Sequence, residues 1–152
     1  MKPIRTIMAA VDFSEYSKEA VEYAARLAEK FDAELLIVNV INQRDLDAVT
    51  AVSLKVDTIS MGNYLERQKM DRQQRIRELI KETSCAHLSP KTFIRVGPPV
   101  EGLITVVRQE AVDLVVMGSK GRSNLAGFLF GSTAEKMFRH CPVPVLSIRE
   151  RS

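Results

Sequence analysis

Three glycines and a pair of hydroxyl side chains lie between an apolar run and a helical segment near the end of the chain. Gly118 ends the apolar run, Gly121 follows three positions later, and Gly131 directly precedes Ser132 and Thr133. Glycine lets the backbone approach a ligand closely, and the free amides at a helix start attract anions such as phosphate. The spacing therefore favours a site for the phosphates of a nucleotide in this segment.

Cationic and hydroxyl side chains next to these glycines could complete such a site. Lys120 and Arg122 could neutralise phosphate charge. The hydroxyls of Ser132 and Thr133 could donate hydrogen bonds or face a phosphate-bound Mg²⁺ ion. A purely structural explanation is also open, because strand-to-helix turns often contain glycine, and serine at a helix start is often only a cap.

Continuous apolar runs alternate with helical patterns along the chain. The predicted strands span residues 4–11, 35–41, 91–96, 113–117 and 145–149. The predicted helices span residues 15–31, 63–84, 100–110 and 132–140. Strands that alternate with helices form parallel sheets with right-handed crossovers, so the pattern predicts an α/β fold with helices on both faces of a parallel sheet. The length suits one core, and we treat residues 1–152 as a single domain.

The ends of two predicted strands carry further candidate site residues. Asp12 ends the first strand, and its carboxylate could accept hydrogen bonds from ribose hydroxyls or an adenine amine, or serve only as a turn or cap. Val40 lies at the end of the second strand and could form an apolar wall for a base, or simply belong to the core. Ligands of doubly wound sheets bind outside the carboxyl ends of the strands, where the strand order reverses. If the first and fourth strands are neighbours, Asp12 and Gly118 flank one crevice.

Composition narrows the classes of partner. The 152 residues are 45% hydrophobic and 27% charged, which is typical of a soluble globular domain, and no apolar run is long enough for a membrane span. The net charge of +3 is too small to indicate nucleic acid binding by itself. Cys85 and Cys141 have no close spacing, which favours two reduced thiols in a cytoplasmic protein over a disulfide between them.

Three further features of the sequence predict local structure. Ser14 is predicted to cap the first helix with its side chain. Residues 42–61 show no clear period and predict an irregular loop that could contain one short helix, and connections of this length are usually functional or mobile. The basic residues of the long second helix alternate with acidic ones, so we interpret them as a solvated, salt-bridged face. These cations are Arg67, Lys69, Arg72, Arg75 and Arg77.

The pattern G-x2-G-x9-G-[S/T], formed by Gly118, Gly121, Gly131 and Ser132, resembles the ATP-binding signature of the universal stress protein family. Residues 7–28 (IMAAVDFSEYSKEAVEYAARLA), 35–41 (LLIVNVI) and 140–149 (HCPVPVLSIR) also resemble that family. The resemblance covers nearly the whole chain and is weakest in residues 42–90. It implies a five-stranded parallel sheet of strand order 3-2-1-4-5, a Rossmann-like fold similar to that of the adenine nucleotide alpha hydrolases.

The resemblance also implies which residues contact a nucleotide. Residues 11 and 12 would contact the base and ribose, residue 40 would line the adenine pocket, and residues 117–122 and 131–133 would hold ribose and phosphates, often with Mg²⁺ or Mn²⁺. Position 10 is alanine where several members carry proline, a small change in the adenine wall. The implied set is Ala10, Val11, Asp12, Val40, Met117, Gly118, Ser119, Lys120, Gly121, Arg122, Gly131, Ser132 and Thr133.

Three functions fit these observations: an ATP-binding regulator in the stress response, a slow Mg²⁺-dependent ATPase, and a dimeric scaffold that binds no nucleotide. The regulator is favoured, because the glycine signature is present while no water-positioning base and no G-x4-G-K-[S/T] loop is evident. We therefore assign no catalytic residue. The resemblance implies a homodimer through the last strand, from Val143 to Arg149, whose apolar edge suits pairing. A regulatory protein partner is expected, whereas membrane and nucleic acid are not.

Overall fold

A computed structural model describes residues 2–42, 44, 59–120 and 131–149. The strands are β1 (Thr6–Ala10), β2 (Glu34–Asn42), β3 (Lys91–Gly97), β4 (Leu114–Gly118) and β5 (Val145–Ile148). The helices are α1 (Glu15–Phe31), α2 (Ile59–Glu82), α3 (Pro99–Gln109) and α4 (Ser132–His140), and a short 3₁₀ helix, Ala86–Leu88, precedes β3. All strand pairs are parallel, in the order β3-β2-β1-β4-β5, which confirms the predicted fold.

Strand β1 is the centre of the sheet and the point where the chain changes direction. Ala10 lies opposite Val38 of β2 on one side and opposite Met117 of β4 on the other. The chain builds β1, β2 and β3 outward on one side, and then crosses back to place β4 and β5 on the other side. The carboxyl ends of β1 and β4 therefore flank the crevice in which such sheets bind ligands.

Both faces of the sheet are covered, which explains why the strands are apolar throughout rather than alternating. Ile7, Ala9 and Ile37 face the cluster that contains Ile76 of α2 and the buried alanines of α1. The intervening strand residues face the cluster under α3 and α4, which includes Met137. Because α1 presents mainly alanine and valine to the sheet, its backbone packs close to β1 and β4.

The predicted boundaries differ from the observed ones at particular contacts. Strand β1 begins at Thr6 rather than at residue 4, since the amides of Arg5 and Thr6 donate to the Asp113 carboxylate, at 2.8 and 3.0 Å. Helix α2 begins at Ile59, inside the segment predicted to be an irregular loop. The rest of that predicted loop, residues 43 and 45–58, lies outside the described residues. None of the helices in the described ranges has the length and apolar character needed to cross a membrane.

Candidate functional site

A cleft of about 440 Å³ opens at the carboxyl ends of β1, β2 and β4, a volume in the usual range for small-molecule sites. Most of the residues predicted from the sequence border it. They are Ala10, Val11 and Asp12 at the end of β1, Val40 of β2, Met117, Gly118 and Lys120 at the end of β4, and Gly131, Ser132 and Thr133 at the start of α4. The fold therefore brings residues from four distant parts of the sequence to one cleft.

Three predicted residues stand apart from this group. Ser119 is buried and does not line the cleft. Its amide donates to the Ile148 carbonyl at 2.8 Å, so it ties the end of β4 to β5. Gly121 and Arg122 lie outside the described residues.

The amino terminus of α4 supplies polar backbone groups to the cleft. The amides of Ser132, Thr133 and Ala134 begin the helix and have no acceptor within it. The Gly131 amide is not part of this set, because it donates to the Ser119 carbonyl at 2.7 Å. The Gly131 amide is therefore not among the free amides at this helix start. The helix dipole and the three following amides still favour an anion at this end of the cleft.

The turn between β1 and α1 holds Asp12 at the rim of the cleft through Ser17. The Ser17 hydroxyl accepts hydrogen bonds from the amides of Asp12 and Phe13, at 3.1 and 2.9 Å, and donates to the Asp12 carboxylate at 3.1 Å. The same carboxylate oxygen accepts the Ser14 amide at 2.9 Å. Asp12 and Ser17 therefore satisfy the backbone amides of the turn that leads into α1.

Ser14 does not cap α1 with its side chain, contrary to the prediction. It occupies the N-cap position, but its hydroxyl is buried and makes no hydrogen bond with any described residue. The Asp12 carboxylate accepts the Ser14 amide, and Ser17 accepts the two amides before it, so these backbone donors are satisfied without the Ser14 hydroxyl.

Gly118 is required by helix packing. Its φ is not positive; among the glycines that the structure describes, Gly97 alone has a positive φ, at 146°. A Cβ on Gly118 would lie 2.7 Å from the Cβ of Tyr16, in the first turn of α1, and 3.1 Å from the Lys120 carbonyl oxygen. The missing side chain thus lets α1 approach the end of β4, a reason that the sequence pattern did not reveal.

Two polar residues of the cleft were not found from the sequence. The Arg72 guanidinium donates to the Asn39 side-chain oxygen at 2.9 Å, and the Asn39 amide nitrogen donates to the Val11 carbonyl at 2.8 Å. Both residues line the cleft, and Asn39 is only 2% exposed. The prediction that Arg72 belongs to a solvated helix face is therefore wrong. An asparagine inside an otherwise apolar strand was the available signal, because a buried amide needs partners.

The other arginines near Arg72 behave as predicted for a solvated face. Arg75 forms an exposed ion pair with Asp71 at 3.1 Å, one turn earlier in α2. Arg77 is exposed, and its guanidinium donates to Gln74 of the same helix. The alternation of basic and acidic residues along α2 thus predicted these two correctly, although Arg75 also lies over the Phe13 ring.

The Cys141 thiol lies outside the cleft lining and is poorly suited to act as a nucleophile. Partial burial raises its pKa, while a hydrogen bond with the Val143 backbone lowers the pKa by a smaller amount. The thiolate, which is the nucleophilic form, is therefore less populated at neutral pH than in an exposed cysteine. Both cysteines of the chain are free thiols.

The sheet order, the paired helical layers and the cleft at the strand-order reversal define a Rossmann-like α/β domain. The model of the universal stress protein family matches residues 3–149, and the chain belongs to this family. Universal stress protein Rv1636 of Mycobacterium tuberculosis is 30% identical over 148 residues, which cover 97% of this chain and 98% of the relative. Universal stress protein MJ0577 of Methanocaldococcus jannaschii is 24% identical over 156 residues, which cover 97% and 96%.

Solved structures agree with this fold. The structure of MJ0577 superposes with a TM-score of 0.80 at 23% identity and covers 99% of each chain. A universal stress protein solved in complex with cAMP gives a TM-score of 0.66 at 22% identity, covering 99% of this chain and 100% of the other. The Archaeoglobus fulgidus universal stress protein in complex with dAMP gives 0.62 at 12% identity, with coverage of 97% and 99%.

Proposed function

We propose that this universal stress protein binds an adenine nucleotide in the cleft between β1 and β4, and that this nucleotide is ATP. The observation that carries the proposal is the order of groups across the sheet. Lys120 and the start of α4 lie on the β4 side, Asp12 lies at the end of β1, and Val40 lies on the β2 side. The two structural relatives solved with cAMP and dAMP support an adenine nucleotide as the ligand.

This order matches the chemistry of a nucleotide from one end to the other. The phosphates would bind the α4 amides, with Lys120 neutralising part of their charge. The Asp12 carboxylate would accept hydrogen bonds from the ribose hydroxyls, and the base would pack on the Val40 side chain. Gly121 and Arg122, which belong to the same sequence signature, would complete the phosphate end. Ser119 would contribute indirectly, by holding Gly131 in place.

A divalent ion, Mg²⁺ or Mn²⁺, fits the phosphate end as a companion of the nucleotide. No cluster of three histidine, cysteine or acidic side chains in the described ranges could hold a metal by itself. Ser132 and Thr133, which carry hydroxyl groups, line the cleft at the start of α4. Mg²⁺ usually binds through few protein groups and several phosphate oxygens, so hydroxyls are sufficient protein donors here. The ion would neutralise phosphate charge.

We further propose a homodimer formed through residues 143–149. Strand β5 pairs with β4 on one side, and among the described residues no strand pairs with its other side. Val145, Leu146 and Ser147 of this strand are half-buried, and an unpaired apolar strand favours pairing with another strand. Sedimentation equilibrium should give twice the 17.1 kDa chain mass; the mass of one chain would contradict the dimer.

The proposed role is regulatory: occupancy of the cleft would change how a protein partner in the cytoplasm is bound. The two free thiols fit a reducing compartment. A ligand can shift partner binding only if it changes the relative stability of two conformations. Hydrogen exchange measured with and without ATP should therefore differ at the surface around the cleft, and identical exchange would contradict a regulatory role.

Thermal unfolding tests the proposed function directly. ATP with Mg²⁺ at about 100 times its Kd should add about 2.7 kcal/mol to the free energy of unfolding, which raises Tm by about 5–10 °C in a chain of this size. Removal of Mg²⁺ with EDTA should reduce the rise. Inorganic phosphate at the same concentration is the matched control and should give a much smaller shift. An unchanged Tm in millimolar ATP would favour a scaffold that binds no nucleotide.

A further inference from the structure

Helix α2 is linked to the turn between β1 and α1 on both sides of Asp12, through Asn39 on one side and by direct contact on the other. On one side, Arg72 donates to Asn39, and Asn39 donates to the Val11 carbonyl. On the other side, the Arg75 guanidinium lies over the Phe13 ring, 5.5 Å from its centroid. Arg72 and Arg75 are three positions apart, so they project from the same face of α2. One helix thus holds the residue before Asp12 and the residue after it.

The turn that α2 holds has an unfavourable backbone conformation. Phe13 has a φ of 64°, in the left-handed region that bulky side chains rarely adopt. Its amide is retained by the Ser17 hydroxyl at 2.9 Å. A strained conformation of this kind persists only when surrounding contacts determine it. The contacts with α2 therefore help to fix where the Asp12 carboxylate lies.

Asn39 acts as an intermediate link because both ends of its side-chain amide are used. Its oxygen accepts from Arg72, and its nitrogen donates to Val11. These two partners determine the orientation of the amide, since one is a donor and the other an acceptor. Replacing Arg72 would leave the buried Asn39 oxygen without this donor and would loosen the link to Val11.

We propose that Arg72 and Arg75 are positioning residues of the nucleotide cleft. They act through Asn39 and Phe13 on the β1–α1 turn and hold Asp12 in the geometry that accepts the ribose. This inference rests on the proposed nucleotide binding and adds that nucleotide binding and the position of α2 are coupled. Binding free energies are coupled reciprocally. If the contacts of α2 with Asn39 and Phe13 strengthen nucleotide binding, a bound nucleotide must strengthen those contacts by the same factor. The stability of α2 against the sheet therefore depends on whether the cleft is occupied.

Calorimetric titration of the full chain with ATP and Mg²⁺ tests this assignment. Arg72→Gln should weaken binding about ten-fold, because a hydrogen bond of a charged donor is lost, and Arg75→Gln should weaken it about three-fold, because an exposed cation–π contact is lost. Arg77→Gln is the matched control, since Arg77 is exposed on the same helix and donates only to Gln74 in the contacts described above. Arg72→Lys, which keeps a charged donor, should recover most of the affinity.

Asn39 also lines the cleft, so Asn39→Leu is combined with hydrogen exchange in the absence of nucleotide to separate positioning from direct contact with the nucleotide. If Arg72 acts through Asn39, this variant should weaken ATP binding as much as Arg72→Gln, and the double variant should be no weaker. Hydrogen exchange without nucleotide should be faster at the Asp12 and Phe13 amides in both single variants. With the wild-type chain, ATP should slow exchange along α2, and Arg72→Gln should abolish that response.

The possible outcomes distinguish this inference from the proposed function. If the wild-type chain binds no ATP, both are overturned. If it binds ATP and the variants of Arg72 and Asn39 bind as the Arg77 control does, only the positioning role is overturned. If Arg72→Gln weakens binding and Asn39→Leu does not, Arg72 contacts the nucleotide directly and the assignment is wrong. Should Arg72→Gln fail to fold, Arg72→Lys and Asn39→Leu decide by the same criteria.

Discussion

Ser132→Asp should weaken ATP binding about 100-fold while leaving the nucleotide-free protein at least as stable. Ser132 is exposed and is the first residue of α4, where a carboxylate interacts favourably with the helix dipole. The same carboxylate would stand where we place the phosphates, and a like-charge contact in a binding site costs several kcal/mol. Calorimetric titration gives the affinity, and thermal unfolding without nucleotide gives the stability.

Ser132→Asn is the matched control, since it has the same shape as aspartate and carries no charge. It should bind ATP within a few-fold of the wild-type chain. The combination of retained stability and lost affinity is important, because most damaging substitutions lower both. Equal ATP affinity in the aspartate and asparagine variants would show that the phosphates do not bind at the start of α4.

Gly118→Ala should lower the free energy of unfolding by about 2 kcal/mol, in the range typical of overpacked core positions. The added Cβ would lie 2.7 Å from the Tyr16 Cβ, which belongs to a buried residue at the start of α1. To relieve this close contact, α1 must move away from β4, because a Cβ atom cannot avoid the contact by changing rotamer. Urea denaturation, analysed by linear extrapolation, measures the change.

Gly62→Ala is the control for the same chemical change. Gly62 lies within α2, and a Cβ there would meet no atom within 4 Å. Because alanine is the better helix former, this substitution should stabilise the protein by about 0.5–1 kcal/mol. If Gly118→Ala were as stable as the wild-type chain and had lost only ATP binding, the glycine would serve ligand approach, as the sequence pattern first indicated.

The fold was predictable because its signals are local and repeated. Residues 35–41 form an apolar run of strand length, and the small residues of α1 mark a helix that packs closely on a sheet. The bounds predicted for α1 and α4 are those observed. The beginning of α2 was missed, because its narrow apolar stripe fades before Asn63 and gives no period from which to place the first turns.

The site was predictable to the extent that its residues occupy strand ends. Asp12, Val40 and Gly118 border the cleft because parallel strands end at the same edge of a sheet. The positions of strand ends do not reveal contacts between side chains that are far apart in the sequence. Arg72 and Asn39 are 33 positions apart, and no pattern along α2 distinguishes Arg72 from the solvated arginines around it.

Local hydrogen bonding was also only partly predictable. Ser14 was predicted from propensity to cap α1, but its hydroxyl makes no hydrogen bond with any described residue. The backbone of the turn instead directs the amides of Asp12 and Phe13 at Ser17. Likewise, the glycine spacing places Gly131 at the start of α4 but does not reveal that its amide donates to the Ser119 carbonyl.

The most direct test of nucleotide binding in this cleft is a titration of the ¹⁵N-labelled protein with ATP and Mg²⁺, followed by amide chemical shifts. We expect the largest changes at the start of α4, at Lys120 and at Asp12. The 3₁₀ helix Ala86–Leu88 precedes β3 and so lies near the amino ends of the strands, opposite the cleft. Its amide chemical shifts should be unchanged. An absence of changes in millimolar ATP, or changes centred away from the carboxyl ends of β1 and β4, would contradict the account.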